Sequence, residues 1–528
     1  MGARSMKGAQ AIFETLHRGG VDTMFANPGT SEMALVRALD DAGTVRGVLC
    51  LFEGVVTGAA DGYARTAGKP AATLLHLGPG LANGAANLHN ARRSRSPIVN
   101  VVGEHARDHV ALDAPLTTDL EAVARPFSRW VRTVDAPAHA GADAAAALEA
   151  ACSLSGPVTL AVPADVAWSE GAAPGQPAPP AGPSRPAGQR IDAAAALLRR
   201  HGSTAMILLG GRALDAEGVA AAARLAAVTG ARLASETFNA SAARGAGRPF
   251  VPKVPYFGEQ AEQFLHGVSL LLLVEARRPV NFFGYPGRHG SPVAAATQVM
   301  RVADPGEDGV YALASLCDAL GAGRTAAATE RSVADRPSGG INPATLAAAI
   351  ARQLPDEAVL CDEAITASLA IPEALAGAAP HHHLDLCGGA IGGALPLATG
   401  AALGAPGCKV LCVSGDGSAL YTIQALWTQA REQLDVTTVI CANRSYAILA
   451  YEHLQIEGRL PGPRAVPLLS LDRPVLGFAD LARGFGVEAT TVGTAEALDE
   501  ALASAATRRG PFLVEAVMEP MQLPPKAP

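Results

Sequence analysis

One acidic motif has the residue types and the spacing that would bind a divalent cation beside a phosphate group. The sequence Gly-Asp-Gly-Ser at 415–418 directly follows the apolar run 409–413. Asn443 stands 27 residues after Asp416, at the end of the next apolar run. If both runs are strands of a parallel sheet, both positions lie at carboxyl ends, where ligands bind. Oxygens from Asp416, Asn443 and the backbone carbonyl of Ser445 would then suit Mg²⁺, which prefers hard oxygen ligands.

The same motif predicts an anionic ligand, because Mg²⁺ usually completes its coordination with water and substrate phosphates. Glycines on both sides of Asp416 would let backbone N–H groups approach a diphosphate, and the start of the following helix would add a favourable dipole. Taken singly, the glycine-flanked aspartate is equally typical of a turn that ends a strand, and Asn443 of an ordinary turn. The two motifs in this order and at this spacing favour the metal site.

The stretch 415–448 resembles the diphosphate- and metal-binding motif of thiamine diphosphate (ThDP) enzymes, because both ends and the spacing match. The resemblance implies that Asp416, Asn443 and Ser445 bind Mg²⁺. It also implies a set of cofactor-binding residues, which are Gly415, Gly417, Ser418, Tyr446, Ala447, Ile448 and, further upstream, Thr366.

A ThDP enzyme also needs a glutamate that hydrogen-bonds the aminopyrimidine ring of the cofactor, and the stretch 52–65 resembles the family's glutamate segment. Glu53 stands in the required place, and the string Gly-Ala-Ala-Asp-Gly-Tyr-Ala at 58–64 matches as well. The resemblance implies that Glu53 is catalytic, binds the cofactor and favours its reactive tautomer. The alternative is an ordinary acidic residue at a helix N-terminus, favoured by the helix dipole.

Among ThDP enzymes, the chain resembles benzoylformate decarboxylase and the large-subunit group of acetolactate synthases. Asn-Pro-Gly-Thr at 27–30 resembles the decarboxylase's active-site loop, with Thr30 in the place of its serine, and His76 occupies the position of its first catalytic histidine. The resemblance implies that both residues are catalytic and line the substrate pocket, where imidazole can move protons near neutral pH. Thr30 is also predicted to cap the next helix, and a lone histidine on an apolar strand is often a core residue.

The segment Cys-Gly-Gly-Ala-Ile at 387–391 is similar to the family segment that bends the cofactor. The resemblance implies that the Gly389 carbonyl bonds the cofactor's amino group and that Ile391 is the wedge beneath it. It also places Leu449 and Phe282 in the substrate pocket. Leu449 falls where benzoylformate decarboxylase has leucine and pyruvate decarboxylases have glutamate, which argues against a pyruvate decarboxylase.

The stretch Pro-Val-Asn-Phe-Phe-Gly-Tyr at 279–285 departs from both groups of relatives. The second catalytic histidine of benzoylformate decarboxylase has no counterpart there, because His289 comes several residues too late. Acetolactate synthases hold FAD with a sequence of the Arg-Phe-Asp-Asp-Arg type, which this stretch lacks, so the sequence argues against FAD.

Other histidines are predicted to lie outside the site. His105 and His109 follow an apolar run and are interpreted as solvated surface residues, although a loop there could reach the pocket. The triplet 381–383 is interpreted as a surface cluster or a cluster that precedes a strand. Adjacent side chains point in different directions, and no further metal ligands accompany them in the sequence.

These likenesses imply a ThDP- and Mg²⁺-dependent enzyme that decarboxylates a 2-oxo acid. The enamine formed would be released as an aldehyde or ligated to a second carbonyl compound. Three alternatives stay open. The first is an acetolactate synthase-type carboligase that forms 2-acetolactate from pyruvate. The second is a nicotinamide or flavin oxidoreductase, based on the glycine-rich stretch 78–84 and Glu104, whose spacing departs from the dinucleotide fingerprint by one residue. The third is a binding or regulatory subunit that kept the fold and lost the chemistry.

Positioning these residues requires apolar strands that alternate with helices, an order typical of α/β folds with parallel sheets and crossover helices. The sequence predicts three doubly wound parallel-sheet domains. They are an N-terminal pyrimidine-binding domain at 1–168, a central Rossmann-like domain at 190–323 and a C-terminal diphosphate- and Mg²⁺-binding domain at 341–528. The Pro-, Gly- and Ala-rich stretch 169–189 and the polar stretch 324–340 are the predicted linkers.

Composition restricts the remaining classes of function. The chain has 528 residues, of which 49% are hydrophobic and 17% charged, and a net charge of −7. These values argue against a nucleic-acid or membrane partner, whereas a small-molecule 2-oxo acid substrate is what the resemblance to ThDP enzymes implies. The eight cysteines lack metal-ligand spacing, which favours reduced thiols and a cytoplasmic location.

The assembly expected from the resemblance is a homodimer or a dimer of dimers. Glu53 falls in the first predicted domain and Asp416 in the last, yet one cofactor must contact both. In the family this contact is made between two chains, so the active sites are expected at the interface.

Overall fold

Three β-sheets of six, four and seven strands lie at the centres of three successive parts of the chain. The computed structural model describes residues 6–179, 182–325 and 327–519, so the predicted domain ends at residues 1 and 528 lie outside it. Helices cover both faces of each sheet. Leu74 and Leu75, for example, are adjacent in a strand and so point to opposite faces, and each packs in a different buried hydrophobic cluster. The predicted α/β class with three parallel-sheet units is confirmed. Among the described helices, none is both long and apolar enough to cross a membrane.

The N-terminal part contains a six-stranded parallel sheet and a two-stranded antiparallel pair. Its elements are β1 (Met6–Lys7), α1 (Gly8–Arg18), β2 (Thr23–Ala26), α2 (Met33–Ala42), β3 (Arg46–Leu49), α3 (Glu53–Ala67), β4 (Ala71–His76), α4 (Leu77–Ser94), β5 (Ile98–Glu104), α5 (Leu120–Ala124), β6 (Val131–Thr133), α6 (Ala140–Ser153), β7 (Pro157–Pro163), α7 (Ala164–Trp168) and β8 (Glu170–Ala172). The strand order is β3-β2-β4-β5-β7-β6, and β1 pairs with β8. The strands β3, β2 and β4, which precede three predicted site residues, are therefore neighbours.

The central part contains a four-stranded parallel sheet with the order β10-β9-β12-β13. The elements of this part are α8 (Gly188–His201), β9 (Ala205–Leu209), α9 (Ala216–Thr229), β10 (Arg232–Ser235), β11 (Ala242–Arg244), α10 (Gly258–Phe264), β12 (Leu270–Val274), β13 (Gln298–Ala303) and α11 (Gly309–Leu320).

The C-terminal part carries the largest sheet. Its elements are α12 (Pro343–Gln353), β14 (Ala358–Glu363), α13 (Ile371–Ala374), β15 (His381–Asp385), α14 (Ala394–Gly404), β16 (Val410–Gly415), α15 (Asp416–Ala419), α16 (Ala425–Arg431), β17 (Val436–Ala442), α17 (Ala447–Glu457), α18 (Phe478–Gly484), β18 (Glu488–Val492), α19 (Ala495–Thr507) and β19 (Phe512–Val517). The order is β11-β15-β14-β16-β17-β19-β18, so β14, β16 and β17 lie side by side.

Two short strands depart from the predicted organisation. β8 lies within the predicted linker 169–189, where it pairs with β1. β11 belongs by sequence to the central part, yet it pairs antiparallel with β15 and forms an edge of the C-terminal sheet. Both strands have only three residues, too few to show a period, and each is held by hydrogen bonds to a distant strand.

One local prediction about a helix start is wrong. Thr30 does not cap a helix, because it begins a short 3₁₀ turn, Thr30–Glu32, and the N–H of Gly29 is bonded instead by the Glu32 carboxylate at 2.7 Å. Helix α14 begins at Ala394, three residues after Ile391. Ile391 therefore lies in the loop before α14.

Helices α3 and α14 join the N- and C-terminal parts through glycines that let the two backbones touch. A Cβ at Gly400 would lie 1.8 Å from the Ala59 carbonyl oxygen, and one at Gly62 would lie 2.0 Å from the Leu397 carbonyl oxygen. Neither helix can accept a side chain there without moving apart from the other. This contact fixes Glu53, at the start of α3, relative to the C-terminal sheet.

We expect Gly400→Ala to destabilise the protein by about 1–3 kcal/mol, the usual cost of overpacking a tight contact. The measurement is the midpoint of thermal unfolding. Gly188→Ala in α8 is the matched control, because nothing lies within 4 Å of a Cβ at that position. Equal unfolding midpoints for Gly400→Ala and Gly188→Ala would contradict the close contact between α3 and α14.

Candidate active site

The acidic motif lies at the carboxyl edge of the seven-stranded sheet. Asp416 follows β16, and Asn443 follows the neighbouring strand β17. The backbone N–H of Arg444 donates to Oδ2 of Asp416 at 2.6 Å, and the N–H of Gly417 donates to Oδ1 at 2.8 Å. The two ends of the motif are therefore in contact.

The oxygens at this edge fit a hard divalent cation. Asp416 is 4% exposed, and burial raises the pKa of its carboxyl although hydrogen bonds from backbone N–H groups lower it. A nearby cation would offset this cost of burying the charge. The amide oxygen of Asn443 accepts a hydrogen bond from the N–H of Ser445 at 3.0 Å, in a tight turn beside Asp416. Asp416, Asn443 and the Ser445 carbonyl would hold Mg²⁺ and, through it, a diphosphate.

The other residues predicted to bind the cofactor lie along the same edge. Gly417 packs against Tyr446, since a Cβ there would lie 2.4 Å from the tyrosine's Cε1. Thr366 and Ser418 are buried at 7% and 5% exposure. The full set follows strands β14, β16 and β17 as Thr366, Gly415, Gly417, Ser418, Tyr446, Ala447 and Ile448.

The loop 386–393, between β15 and α14, presents Gly389 in the left-handed region with a φ of +75°. Glu363 at the end of β14 holds this loop, because its carboxylate accepts hydrogen bonds from the N–H groups of Gly392 at 2.5 Å and Ala394 at 2.8 Å. Burial raises the pKa of Glu363 to about 7. The sequence did not indicate this role of Glu363, because the loop is 29 residues further along the chain.

Polar side chains of α4 connect the same loop to the start of α3. The Asn90 side chain donates to the Ala390 carbonyl at 2.8 Å. The Asn87 side chain donates to the carbonyls of Gly392 at 3.2 Å and Gly54 at 2.8 Å. The loop that carries Gly389 and the residue after Glu53 therefore share one hydrogen-bonding partner.

Glu53 begins α3 and is 7% exposed. The side-chain amide of Asn27 donates to its Oε1 at 3.1 Å, and that of Asn83 donates to its Oε2 at 3.1 Å. Two amide donors from different elements fix the plane of the carboxylate. An acidic residue serving only the helix dipole would face solvent, so the arrangement favours a bound partner for Glu53.

His76, at the end of β4, contacts a buried carboxylate that the sequence did not indicate. Its Nδ1 lies 2.8 Å from Oε2 of Glu32 and 3.1 Å from the hydroxyl of Ser31. Glu32 has no exposed surface, and a Cβ at Gly29 would lie 2.3 Å from His76 Nδ1, so only glycine fits there. A carboxylate that orients an imidazole is the usual support for a histidine that transfers protons at its other nitrogen.

Three predicted pocket residues present exposed side chains. Thr30 is exposed beside Ser31, which makes the contact with His76 in its place. Leu449 on α17 is 45% exposed, and Phe282 is 43% exposed. The Phe282 ring nevertheless lies against Gly389, since a Cβ there would be 2.5 Å from its Cζ. The roles of Thr30, His76, Leu449 and Phe282 in substrate binding stay predictions.

The interpretation of the histidine triplet as a surface cluster is wrong. His381–Asp385 is strand β15, and its first and third histidines are 0% and 1% exposed. Strand alternation points both toward the same face of the sheet, and β11 pairs with β15 along its outer side. His383 Nε2 lies 3.4 Å from carboxylate oxygens of Asp362 and Asp385, and Lys253 already pairs with Asp385 at 2.6 Å.

The glycine-rich stretch 78–84, on which the oxidoreductase alternative is based, lies in the first turns of α4, and its glycines face protein groups. A Cβ at Gly80 would lie 3.3 Å from Oε1 of Glu53, and one at Gly84 would lie 2.8 Å from Thr57. They therefore allow α4 to pack against the start of α3, which explains their spacing without a nucleotide.

Comparisons with known proteins agree with this geometry. Residues 6–123 match the model of the thiamine pyrophosphate enzyme N-terminal binding domain, and residues 373–516 match that of the C-terminal binding domain. The fold and the two sheet edges thus define a ThDP-dependent enzyme, and the chain belongs to the thiamine pyrophosphate enzyme family.

Similar proteins include ones named as acetolactate synthases and as decarboxylases. It is 49% identical over 97% of its length, and 99% of the relative's, to a Mycobacterium tuberculosis protein provisionally named acetolactate synthase large subunit IlvX. It is 31% identical to the benzoylformate decarboxylase of Pseudomonas aeruginosa over 96% of its length and 97% of that enzyme's. The ThDP-dependent 4-hydroxybenzoylformate decarboxylase of Rhodococcus jostii superposes with a TM-score of 0.83, at 25% identity, over 97% of this chain and 99% of that one.

Proposed function

We propose that this ThDP enzyme decarboxylates a 2-oxo acid and releases an aldehyde, with Mg²⁺ as the second cofactor. The observation that supports this most strongly is that the carboxyl edges of the N- and C-terminal sheets carry two different sets of groups that a ThDP enzyme needs. One edge has a buried carboxylate in a set of oxygen ligands, and the other has Glu53 held by two amides beside the His76–Glu32 pair. ThDP, when bound, supplies the electron sink for breaking the bond to the carboxyl group.

The side chains of the chain then have separate tasks. Asp416, Asn443 and the Ser445 carbonyl hold Mg²⁺ and so the diphosphate. Glu53, kept in place by Asn27 and Asn83, would hydrogen-bond the pyrimidine ring of the cofactor and hold or release a proton there. His76, oriented by Glu32 at Nδ1, is left with Nε2 for a proton of the substrate or product.

A second candidate is ligation of the product to another carbonyl compound, as in an acetolactate synthase. The 49% identity to IlvX favours this candidate, whereas the benzoylformate decarboxylase relative favours simple release. The deciding experiment incubates a panel of 2-oxo acids with the protein, ThDP and Mg²⁺ and measures CO₂, aldehyde and acyloin separately. Aldehyde as the main product supports the decarboxylase, acyloin or acetohydroxy acid supports the ligase, and no CO₂ from any acid would reject both.

The intracellular location also stays a proposal. It is supported by the eight cysteines, all of which are free thiols in the structure.

We also expect the catalytic form to be a homodimer or a pair of dimers. Large apolar side chains are exposed on the segments that follow β5 and α17, among them Leu112 at 70% and Leu468 at 78%, and exposed apolar surface of this kind is often covered in an interface. Sedimentation at assay concentration tests this. A monomer with full activity would contradict it.

A further inference from the structure

An aromatic cluster of the central part, formed by Phe238, Tyr256, Phe282 and Phe283, lies over the loop that carries Gly389. The ring centroid of Phe282 lies 5.8 Å from that of Phe238, 5.3 Å from that of Tyr256 and 4.8 Å from that of Phe283. Phe282 is the member that reaches Gly389. It is 43% exposed, and Phe283 is 50% exposed, so the cluster presents an apolar wall toward open space beside the loop.

One carboxylate of the C-terminal part is bonded to the central part just behind this wall. The hydroxyl of Tyr285 donates to Oε2 of Glu452 at 2.6 Å, and that of Tyr256 donates to Oε1 at 3.3 Å. Burial, followed by the nearby Glu452 carboxylate, raises the pKa of both the Tyr285 and the Tyr256 hydroxyl. Both tyrosines therefore keep their protons and act as donors.

These two hydrogen bonds from Tyr256 and Tyr285 to Glu452, which we call the clamp, attach α17 to the central part. Ala447 is the only buried residue of the helix, and a ring contact between Tyr451 and Phe257, at 4.3 Å, supports the same junction. Leu449 and Glu452 are three residues apart and so share one face of α17. The helix follows the metal-binding turn at 443–445 directly, so the clamp links that turn to the aromatic cluster.

We propose that Glu452 is a positioning residue that fixes Phe282 against Gly389 and thereby shapes the space for the side chain of the substrate. This inference rests on the proposed 2-oxo acid chemistry. A wall of phenyl and phenol rings suits an apolar side chain and gains most from one with a large contact area. The clamp therefore favours bulky apolar 2-oxo acids over pyruvate.

The purpose of a carboxylate at this place follows from its geometry. A carboxylate accepts two hydrogen bonds at once, one on each oxygen, and hydrogen bonds to an ionised group are shorter and stronger than neutral ones. Tyr256 belongs to the aromatic cluster, and Tyr285 ends the stretch that carries Phe282. Holding both hydroxyls on one residue of α17 restricts the cluster to one position relative to Gly389.

The test compares Glu452→Ala with Glu457→Ala, a glutamate at the exposed end of the same helix. We expect Glu452→Ala to raise KM for benzoylformate about tenfold, with kcat changed less than threefold and kcat/KM for pyruvate unchanged. Glu457→Ala should behave as the wild type with both acids. The double variant Tyr256→Phe/Tyr285→Phe should reproduce the Glu452→Ala effect, and adding Glu452→Ala to it should cause no further loss. Glu452→Gln, which keeps one good acceptor, should recover part of the selectivity.

A binding measurement separates positioning from general damage. In a Glu53→Gln background loaded with ThDP and Mg²⁺, where turnover is slow, Glu452→Ala should weaken calorimetric binding of benzoylformate about tenfold and leave ThDP binding unchanged. Equal losses with benzoylformate and pyruvate, or no loss with either, would overturn the positioning role while leaving the proposed function intact. Failure of the wild type to release CO₂ from any 2-oxo acid would reject the proposed function itself, and this inference with it.

Discussion

Replacing Asp416 by alanine is expected to abolish ThDP binding at ordinary Mg²⁺ concentrations while leaving the fold intact. The diphosphate would lose the cation that joins it to the protein, and the remaining oxygens of Asn443 and Ser445 carry no full charge to hold Mg²⁺. We expect affinity to fall by at least about 100-fold, or about 2.8 kcal/mol. Calorimetric titration of ThDP in the presence of Mg²⁺ measures the change.

The control for this variant is Asp480→Ala, an aspartate of the same part of the chain whose side chain is 86% exposed. It should bind ThDP as the wild type does. Asp416→Asn keeps the shape of the side chain and removes its charge, so raising the Mg²⁺ concentration should recover binding only in part. Unchanged ThDP affinity in Asp416→Ala would refute the metal site.

Replacing Glu53 by glutamine is expected to spare most cofactor binding and to slow the chemistry. Glu53 would make only one of the many hydrogen bonds that hold the cofactor, so ThDP binding should weaken by no more than about 1.5–3 kcal/mol. A glutamine also has one acceptor where the carboxylate has two, and its NH₂ would face the amide of Asn27 or Asn83 as donor against donor. The side chain would therefore lose its fixed plane as well as its ability to exchange a proton.

We expect kcat at saturating ThDP to fall at least about tenfold, which corresponds to about 1.4 kcal/mol of barrier. Steady-state kinetics over a range of ThDP and substrate concentrations separate this effect from binding. A loss confined to substrate KM would indicate a uniform binding role. Wild-type turnover with every acid that the native enzyme accepts would mean that Glu53 only begins a helix.

The parts of the site that the sequence predicts are those carried by short, continuous motifs. Asp416 and Asn443 each follow an apolar strand, and parallel strands bring their carboxyl ends to one edge. The contact between Asp416 and the N–H of Arg444 agrees with that expectation. Glu53 was likewise indicated by the matched string that follows it.

The supporting residues were missed because their partners are distant in the sequence. Asn83 reaches Glu53 across 30 residues, and Glu32 reaches His76 across 44. Glu32 lies two residues beyond the recognised Asn-Pro-Gly-Thr loop, so an acidic residue next to that loop was the available signal.

The prediction for the histidine triplet failed for a different reason. Three polar residues in a row suggest a surface, but they belong to β15, an inner strand between β11 of the central part and β14, and His381 and His383 are buried. A single sequence does not show which distant segments surround a strand, so the polar composition of the triplet was misleading.

Exchange of the C2 proton of bound ThDP for deuterium, followed by NMR after acid quenching, shows whether Glu53 activates the cofactor. The result does not depend on which acid is the substrate. We expect the wild-type protein with Mg²⁺ to exchange this proton much faster than free ThDP does, and Glu53→Gln, fully loaded with ThDP, to exchange it at least about tenfold more slowly than the wild type. Exchange at the same rate in the wild type, in Glu53→Gln and in free ThDP would contradict this expectation.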